Sequence, residues 1–148
     1  MPDPLDPLLR DHRPIIPYLF VHDAAGALAF YQHAFDAQVC SVMQDGERIG
    51  HAELRIRGQP FMLASEYPEL EVLSPRTRGG STVGLLLYVD DADASFARAI
   101  RAGARARDPV VDKPYGDRSG TLIDPFGHLW YISSRITPPS PQEATADQ

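Results

Sequence analysis

From residue 15 to 21 the chain is a β-rich apolar run, and from 24 to 35 its apolar residues switch to helical spacing, with Leu28, Tyr31 and Phe35 on one face. Asp23 stands between the two runs, where a helix N-cap belongs. Alternating stretches then predict strands near 38–44, 48–57 and 61–66, with Asp45-Gly46 as a strong hairpin turn and Gly58-Gln59 as a weaker one. The same order returns further on. A strand at 83–89 leads to Asp91 as cap, a helix at 92–102 stopped by Gly103, and strands near 105–111, 118–123 and 128–134. Val21-His22-Asp23-Ala24-Ala25 matches Val89-Asp90-Asp91-Ala92-Asp93 at an offset of 68 residues. Each half therefore reads strand, helix, three strands, and the Pro-, Arg- and Gly-rich stretch 73–81 reads as the linker between them.

Strand parity assigns faces, because successive side chains point to opposite sides of a sheet. Ala52, Leu54 and Ile56 suit the side beneath a helix, which turns His51, Glu53 and Arg55 the other way. His51 and Glu53 make a candidate acid–base or hydrogen-bonded couple, with the carboxylate fixing the imidazole tautomer. Tyr115-Gly116-Asp117-Arg118 precedes a strand, and two readings of it stand side by side: Arg118 clamps an anionic or carbonyl group of a ligand, or Asp117 and Arg118 pair and pin the loop.

One motif is more specific than periodicity. Asp124-Pro125-Phe126-Gly127-His128-Leu129-Trp130 combines an Asx turn, a fixed proline φ and a permissive glycine before a terminal apolar strand. With His51-Ala52-Glu53-Leu54, Tyr115-Gly116-Asp117-Arg118, Pro17-Tyr18-Leu19, Ala29-Phe30-Tyr31, Phe61-Met62-Leu63-Ala64-Ser65-Glu66 and Tyr88-Val89-Asp90-Asp91, it resembles the vicinal oxygen chelate superfamily, also known as glyoxalase/bleomycin resistance/dioxygenase. Within that superfamily the pattern is similar to the PhnB-like branch, over about residues 14 to 134.

The resemblance implies an α+β fold: two tandem βαβββ modules, 14–72 and 81–136, forming a curved mixed sheet with a concave cup and with the helices on the outer face. Metal-dependent members place His, Gln or Glu ligands on the first and last strands of each module. Carried over, those positions fall on Ile16, Leu63 (or Met62), Gly84 and Tyr131, none of which is an ordinary ligand for a first-row metal. No metal and no cofactor is therefore expected. The parity that puts Tyr131 inside the cup also puts Tyr18, Phe20, Leu86, Tyr88 and Leu129 there, and turns Trp130 and Ile132 toward a helix. The expected ligand-binding set is Tyr18, Phe20, His51, Glu53, Arg55, Leu63, Tyr88, Arg118 and Tyr131. As the fold hosts many chemistries, two functions stay open. One is a metal-free binding protein of the bleomycin-resistance type, holding an aromatic or amphipathic small molecule in a cup at a homodimer interface. The other is a lyase or isomerase with His51 and Glu53 as its acid–base pair, with or without a divalent metal at a non-standard site.

Composition narrows the partners. At 148 residues with 43% hydrophobic content the chain supports one core domain, 14–136, and its net charge of −6 argues against a nucleic-acid surface. Arg98, Arg101, Arg105 and Arg107 cluster, yet Asp108 and Asp112 follow closely, which reads as a solvated helix end. The lone Cys40 excludes an intramolecular disulfide and reads as a small buried hydrophobe in an alternating stretch. No apolar run is long enough for a membrane anchor and the first dozen residues do not form a leader, so a cytoplasmic location is expected. Proline-rich residues 1–13 and 137–148 read as flexible tails, with Leu5, Leu8 and Leu9 able to dock on the body or on a second subunit.

Overall fold

The computed structural model describes residues 15–136, so both expected tails, and with them Leu5, Leu8 and Leu9, lie outside the described residues. The chain runs β1 (Tyr18–Val21), α1 (Ala24–Phe35), β2 (Gln38–Asp45), β3 (Arg48–Ile56), β4 (Gln59–Ser65), α2 (Pro75–Arg78), β5 (Gly84–Tyr88), α3 (Ala92–Ala102), β6 (Arg105–Asp112), β7 (Asp117–Ile123) and β8 (Leu129–Arg135). This is the α+β arrangement of two βαβββ modules that the repeat implies. The long helices begin by the same device: Asp23 accepts a hydrogen bond from Gly26 N at 2.9 Å, and Asp91 accepts one from Ala94 N at 3.1 Å. They end differently. Asp36 closes α1 in the left-handed region at φ 55°, whereas Gly103 closes α3 at φ 123°.

Hydrogen bonding resolves the strands into two four-stranded mixed sheets, ordered β1-β4-β3-β2 and β5-β8-β7-β6, with β1–β4 and β5–β8 the parallel pairs. The inner edges, β1 and β5, do not pair with one another. A cleft of about 430 Å3 lies between β5 and the start of β4, lined by Pro17, Phe61, Leu85, Leu87 and Trp130. Proline at the head of β1 has no N–H to offer a neighbour. The modules are instead joined through their helices, where Arg98 of α3 forks onto both Asp36 oxygens at 2.9 and 2.8 Å and reaches His33 O at 2.6 Å.

The core sits under α1. Phe30, Tyr31 and Phe35 pack with Phe61, Phe126 and Trp130, and Phe35 and Trp130 have ring centroids 4.8 Å apart. Tyr31 is fully buried, so its hydroxyl needs a partner, and it donates to Asp124 Oδ2 at 2.5 Å. Trp130 Nε1 donates to the same oxygen at 2.9 Å, while Asp124 Oδ1 accepts the backbone N–H of Phe126 and of His128, each at 2.9 Å. The Asp-Pro turn is thus a four-donor carboxylate hub between the modules. His128 adds a tether, its Nε2 lying 3.1 Å from Phe20 O.

Two local expectations are corrected. Cys40 is exposed, because a bulge between Val39 and Ser41 breaks the alternation on the edge strand β2. The stretch expected as a plain linker contains α2, whose N-cap Ser74 accepts from Thr77 N at 3.3 Å ahead of Pro75 at the first helical turn.

Candidate functional site

Each sheet packs one face against the helices and turns the other, the concave face of the expected cup, away from them. In module 1 that open face carries Tyr18 and Phe20 from β1, His51, Glu53 and Arg55 from β3, and Met62 from β4; Ala52, Leu54 and Ile56 are buried on the other side. The rings of Tyr18 and Phe20 have centroids 5.4 Å apart, and the Tyr18 hydroxyl is 2.7 Å from His51 Nδ1. Partial burial raises the Tyr18 phenol above its ordinary value, so at neutral pH it is a neutral hydroxyl. The expected couple is therefore altered. Glu53 lies 3.8 Å from Arg55, and it is Tyr18 that orients the imidazole. Arg55 also donates to Gly58 O at 3.3 Å, toward the end of the hairpin.

Leu63 does not belong to this face. β1 and β4 pair with Tyr18 opposite Met62 and Leu19 opposite Leu63, so Met62 joins the aromatic face and Leu63 is fully buried with the helices. A one-residue shift of register reverses every side chain, which is why the two candidates have opposite fates.

In module 2 the open face carries Leu86 and Tyr88 from β5 and Tyr131, Ser133 and Arg135 from β8, opposite Thr121, Ser119 and Asp117 of β7. Trp130 and Ile132 are buried on the helix side, as parity requires. Asp117 is only 2% exposed, yet it is satisfied twice: Tyr88 donates to Oδ2 at 2.6 Å and Arg135 to Oδ1 at 2.7 Å. The hydrogen bond to Asp117 is the main cause that holds the Tyr88 phenol above its ordinary value, with burial second. Ser119 and Ser133 share a hydrogen bond of 2.8 Å beside them.

Arg118, the expected clamp, points the other way. It donates to Asp93 of α3 at 2.6 and 3.0 Å and to Asp112 at 2.9 Å, and these carboxylates push its guanidinium pKa further up. Neither reading of the Asp117-Arg118 pair holds, since neighbours on a strand face opposite sides. Four polar residues of this face lie outside the expected set: Asp117, Ser119, Ser133 and Arg135. Extending from Tyr131 in steps of two reaches Ser133 and Arg135, so the alternation carried that signal.

The residues present do not fit the divalent ion that metal-dependent proteins of this fold hold. Tyr131 packs so closely over Gly84 that a Cβ there would lie 2.6 Å from its Cε2, so two of the carried-over ligand positions are filled by an aromatic ring against backbone. In module 1 the corresponding face offers Met62, while His51 Nδ1 is bonded to Tyr18. Among the described residues no three His, Cys, Asp or Glu side chains converge as a metal would need.

A model of the family described as Glyoxalase/Bleomycin resistance protein/Dioxygenase superfamily matches residues 12–132. A Mycobacterium bovis protein, Mb0911c, is 40% identical over 124 residues, covering 81% of this chain and 82% of its own. Among solved structures, TioX from Micromonospora sp. ML1 is similar at 26% identity with a TM-score of 0.64, over 85% of this chain and 98% of its own. The Arabidopsis thaliana At5g48480 product is similar at 28% identity with a TM-score of 0.66, over 80% and 96%.

Proposed function

We propose, from the premise that this chain belongs to the Glyoxalase/Bleomycin resistance protein/Dioxygenase superfamily, that it is a metal-free small-molecule binding protein of the bleomycin-resistance type, within the PhnB-like branch. Its ligand is aromatic or amphipathic, and it is sequestered in a cup that two copies of the chain complete. The observation that carries this reading is the exposure of large apolar side chains on both concave faces: Tyr18 41%, Leu86 56%, Tyr88 46% and Tyr131 37%. Large apolar side chains exposed on a sheet face favour a place where something else packs.

The chemistry of the faces fits sequestration. Tyrosine rings offer flat apolar contact with a polar tip, which suits a planar ligand. Module 2 supplies a fixed polar anchor, because Asp117 holds Arg135 by one nitrogen and leaves the rest of the guanidinium fork for a carbonyl or anionic group. Module 1 supplies His51, held by Tyr18. Against the acid–base alternative, Glu53 turns toward Arg55 instead of orienting the imidazole.

Light scattering at micromolar concentration tests the shared cup, and a dimer is expected; a monomer would overturn it. Thermal melts with a panel of planar natural products and with divalent metals test the contents, since a ligand that binds only the folded state raises its stability by mass action. A rise with an organic ligand, and less than one equivalent of metal by elemental analysis, is expected. One equivalent of nickel, zinc or iron would replace sequestration with metal chemistry.

A further inference from the structure

A second site lies away from the aromatic faces, and its chemistry is cationic. The cleft between α2 and the Asp124–Gly127 turn has a volume of about 770 Å3, and three arginines line it: Arg76, Arg105 and Arg107. In a chain of net charge −6 this concentration needs an account. Of the eleven described arginines, five have a carboxylate within 3.1 Å: Arg48 has Glu69, Arg57 has Asp90, Arg98 has Asp36, Arg118 has Asp93 and Asp112, and Arg135 has Asp117. Among the described residues, Arg76 and Arg105 in the cleft have no such partner, nor have Arg78 and Arg101 outside it, and Arg107 has only Asp108 at 3.7 Å with both side chains more than half exposed. The one carboxylate lining the cleft, Asp124, is 3% exposed, and its oxygens are taken up by Tyr31, Trp130 and two backbone N–H groups.

His22 lines the same cleft and adds an imidazole beside the arginines; its Nδ1 is buried and has no hydrogen-bond partner among the described residues. The walls between the charges are apolar, from Pro75, Ile123, Pro125 and Leu129.

We infer that this cleft binds a small organic phosphate, with the arginines on the phosphate and the apolar wall under its organic body. Guanidinium forks match phosphate oxygens in pairs, and charge-assisted hydrogen bonds of this type are about twice as strong as neutral ones. The volume suits a ligand of ordinary cofactor size. The inference does not rest on the shared cup and holds for a monomer as for a dimer.

Phenyl phosphate and inorganic phosphate serve as probes, titrated at constant ionic strength into the full-length 15N-labelled chain. Amide shifts at Gly79, Gly80 and Gly127, with phenyl phosphate binding about tenfold more tightly than inorganic phosphate through its ring, are expected. Arg105→Glu and Arg76→Glu should each weaken binding by about tenfold or more. Arg101→Glu, which changes net charge equally on a residue outside the cleft, should leave it unchanged. Shifts confined to the concave faces, an equal loss with Arg101→Glu, or no binding by the unaltered chain would overturn the inference.

Discussion

The two modules share a backbone plan and divide the physical work unequally. Helix α1 buries Phe30, Tyr31 and Phe35, whereas α3, in the same place in its own module, buries only Ala92 and Ala99. Each aromatic side chain fully buried stabilises by about 1.5–3 kcal/mol, so the hydrophobic core belongs mainly to module 1 and to the Trp130 that module 2 inserts into it. The concave faces reverse that division. Module 1 presents a half-exposed Tyr18–His51 pair, while module 2 presents a buried carboxylate with two partners and a Ser119–Ser133 bond beneath it. A repeated topology thus leaves side chains free to specialise, one module for packing and the other for a preorganised polar anchor.

The sharpest way to break this comparison is at the hub where the modules meet. Asp124→Ala leaves the Tyr31 hydroxyl, the Trp130 indole N–H and two backbone N–H groups without their acceptor. Buried unsatisfied donors each cost about 1–3 kcal/mol, so a loss of about 4 kcal/mol or more is expected in urea unfolding. A loss below about 1 kcal/mol would mean that water replaces the carboxylate and that the hub does not couple the modules.

Asp117→Asn comes next, with an expected cost of about 2 kcal/mol, because Arg135 loses its charge partner but remains partly exposed to water. Asp124 and Asp117 are both buried carboxylates, yet only the second faces the cup. Ligand affinity should therefore fall for Asp117→Asn at temperatures where the protein is still folded. An unchanged affinity would remove the polar anchor from module 2.

Much of this layout is legible in the sequence. The boundaries of α1 and α3 follow from Asp23 and Asp91, whose side chains satisfy backbone N–H groups that a helix start leaves without partners. The aromatic face of module 1 follows from alternation along β1 and β3. The rest depends on relations between strands, which one strand's alternation does not contain. Whether Met62 or Leu63 faces the cup is fixed by pairing with Tyr18 and Leu19 across β1–β4. The partners of Arg118 come from α3 and from the end of β6, and Arg135 meets Asp117 across two strands. Glu53 departs from His51 because Arg55 on the same face competes for its charge.

Alkaline titration separates the core from the faces by a smaller effect. Burial first, and the charge of Asp124 second, push the Tyr31 phenol well above 10.0. The folded state therefore keeps a proton that the unfolded chain releases, so this stabilisation is present below about pH 10 and is lost as pH rises beyond it. Tyr18, Tyr67 and Tyr88 are raised too and share the slope. Tyr31→Phe should lower stability at neutral pH by about 1 kcal/mol, for the lost hydrogen bond, and flatten the decline above pH 10. An unchanged decline would assign it to Tyr18, Tyr67 and Tyr88.

The smallest effect expected is at Tyr18, and it bears most directly on the difference between the faces. Tyr18→Phe keeps the ring and deletes the hydroxyl bonded to His51, and since Tyr18 is 41% exposed, water can take that place. A cost of about 0.5 kcal/mol or less follows for stability. The imidazole, however, loses the group that fixes its orientation, which the 15N chemical shifts of the His51 ring would report. If sequestration rests on aromatic contact, affinity for a planar ligand survives the change, because the Phe ring offers the same area. A loss of affinity as large as that of Asp117→Asn would instead make the Tyr18–His51 bond a second polar anchor, and the faces of the two modules would be equivalent after all.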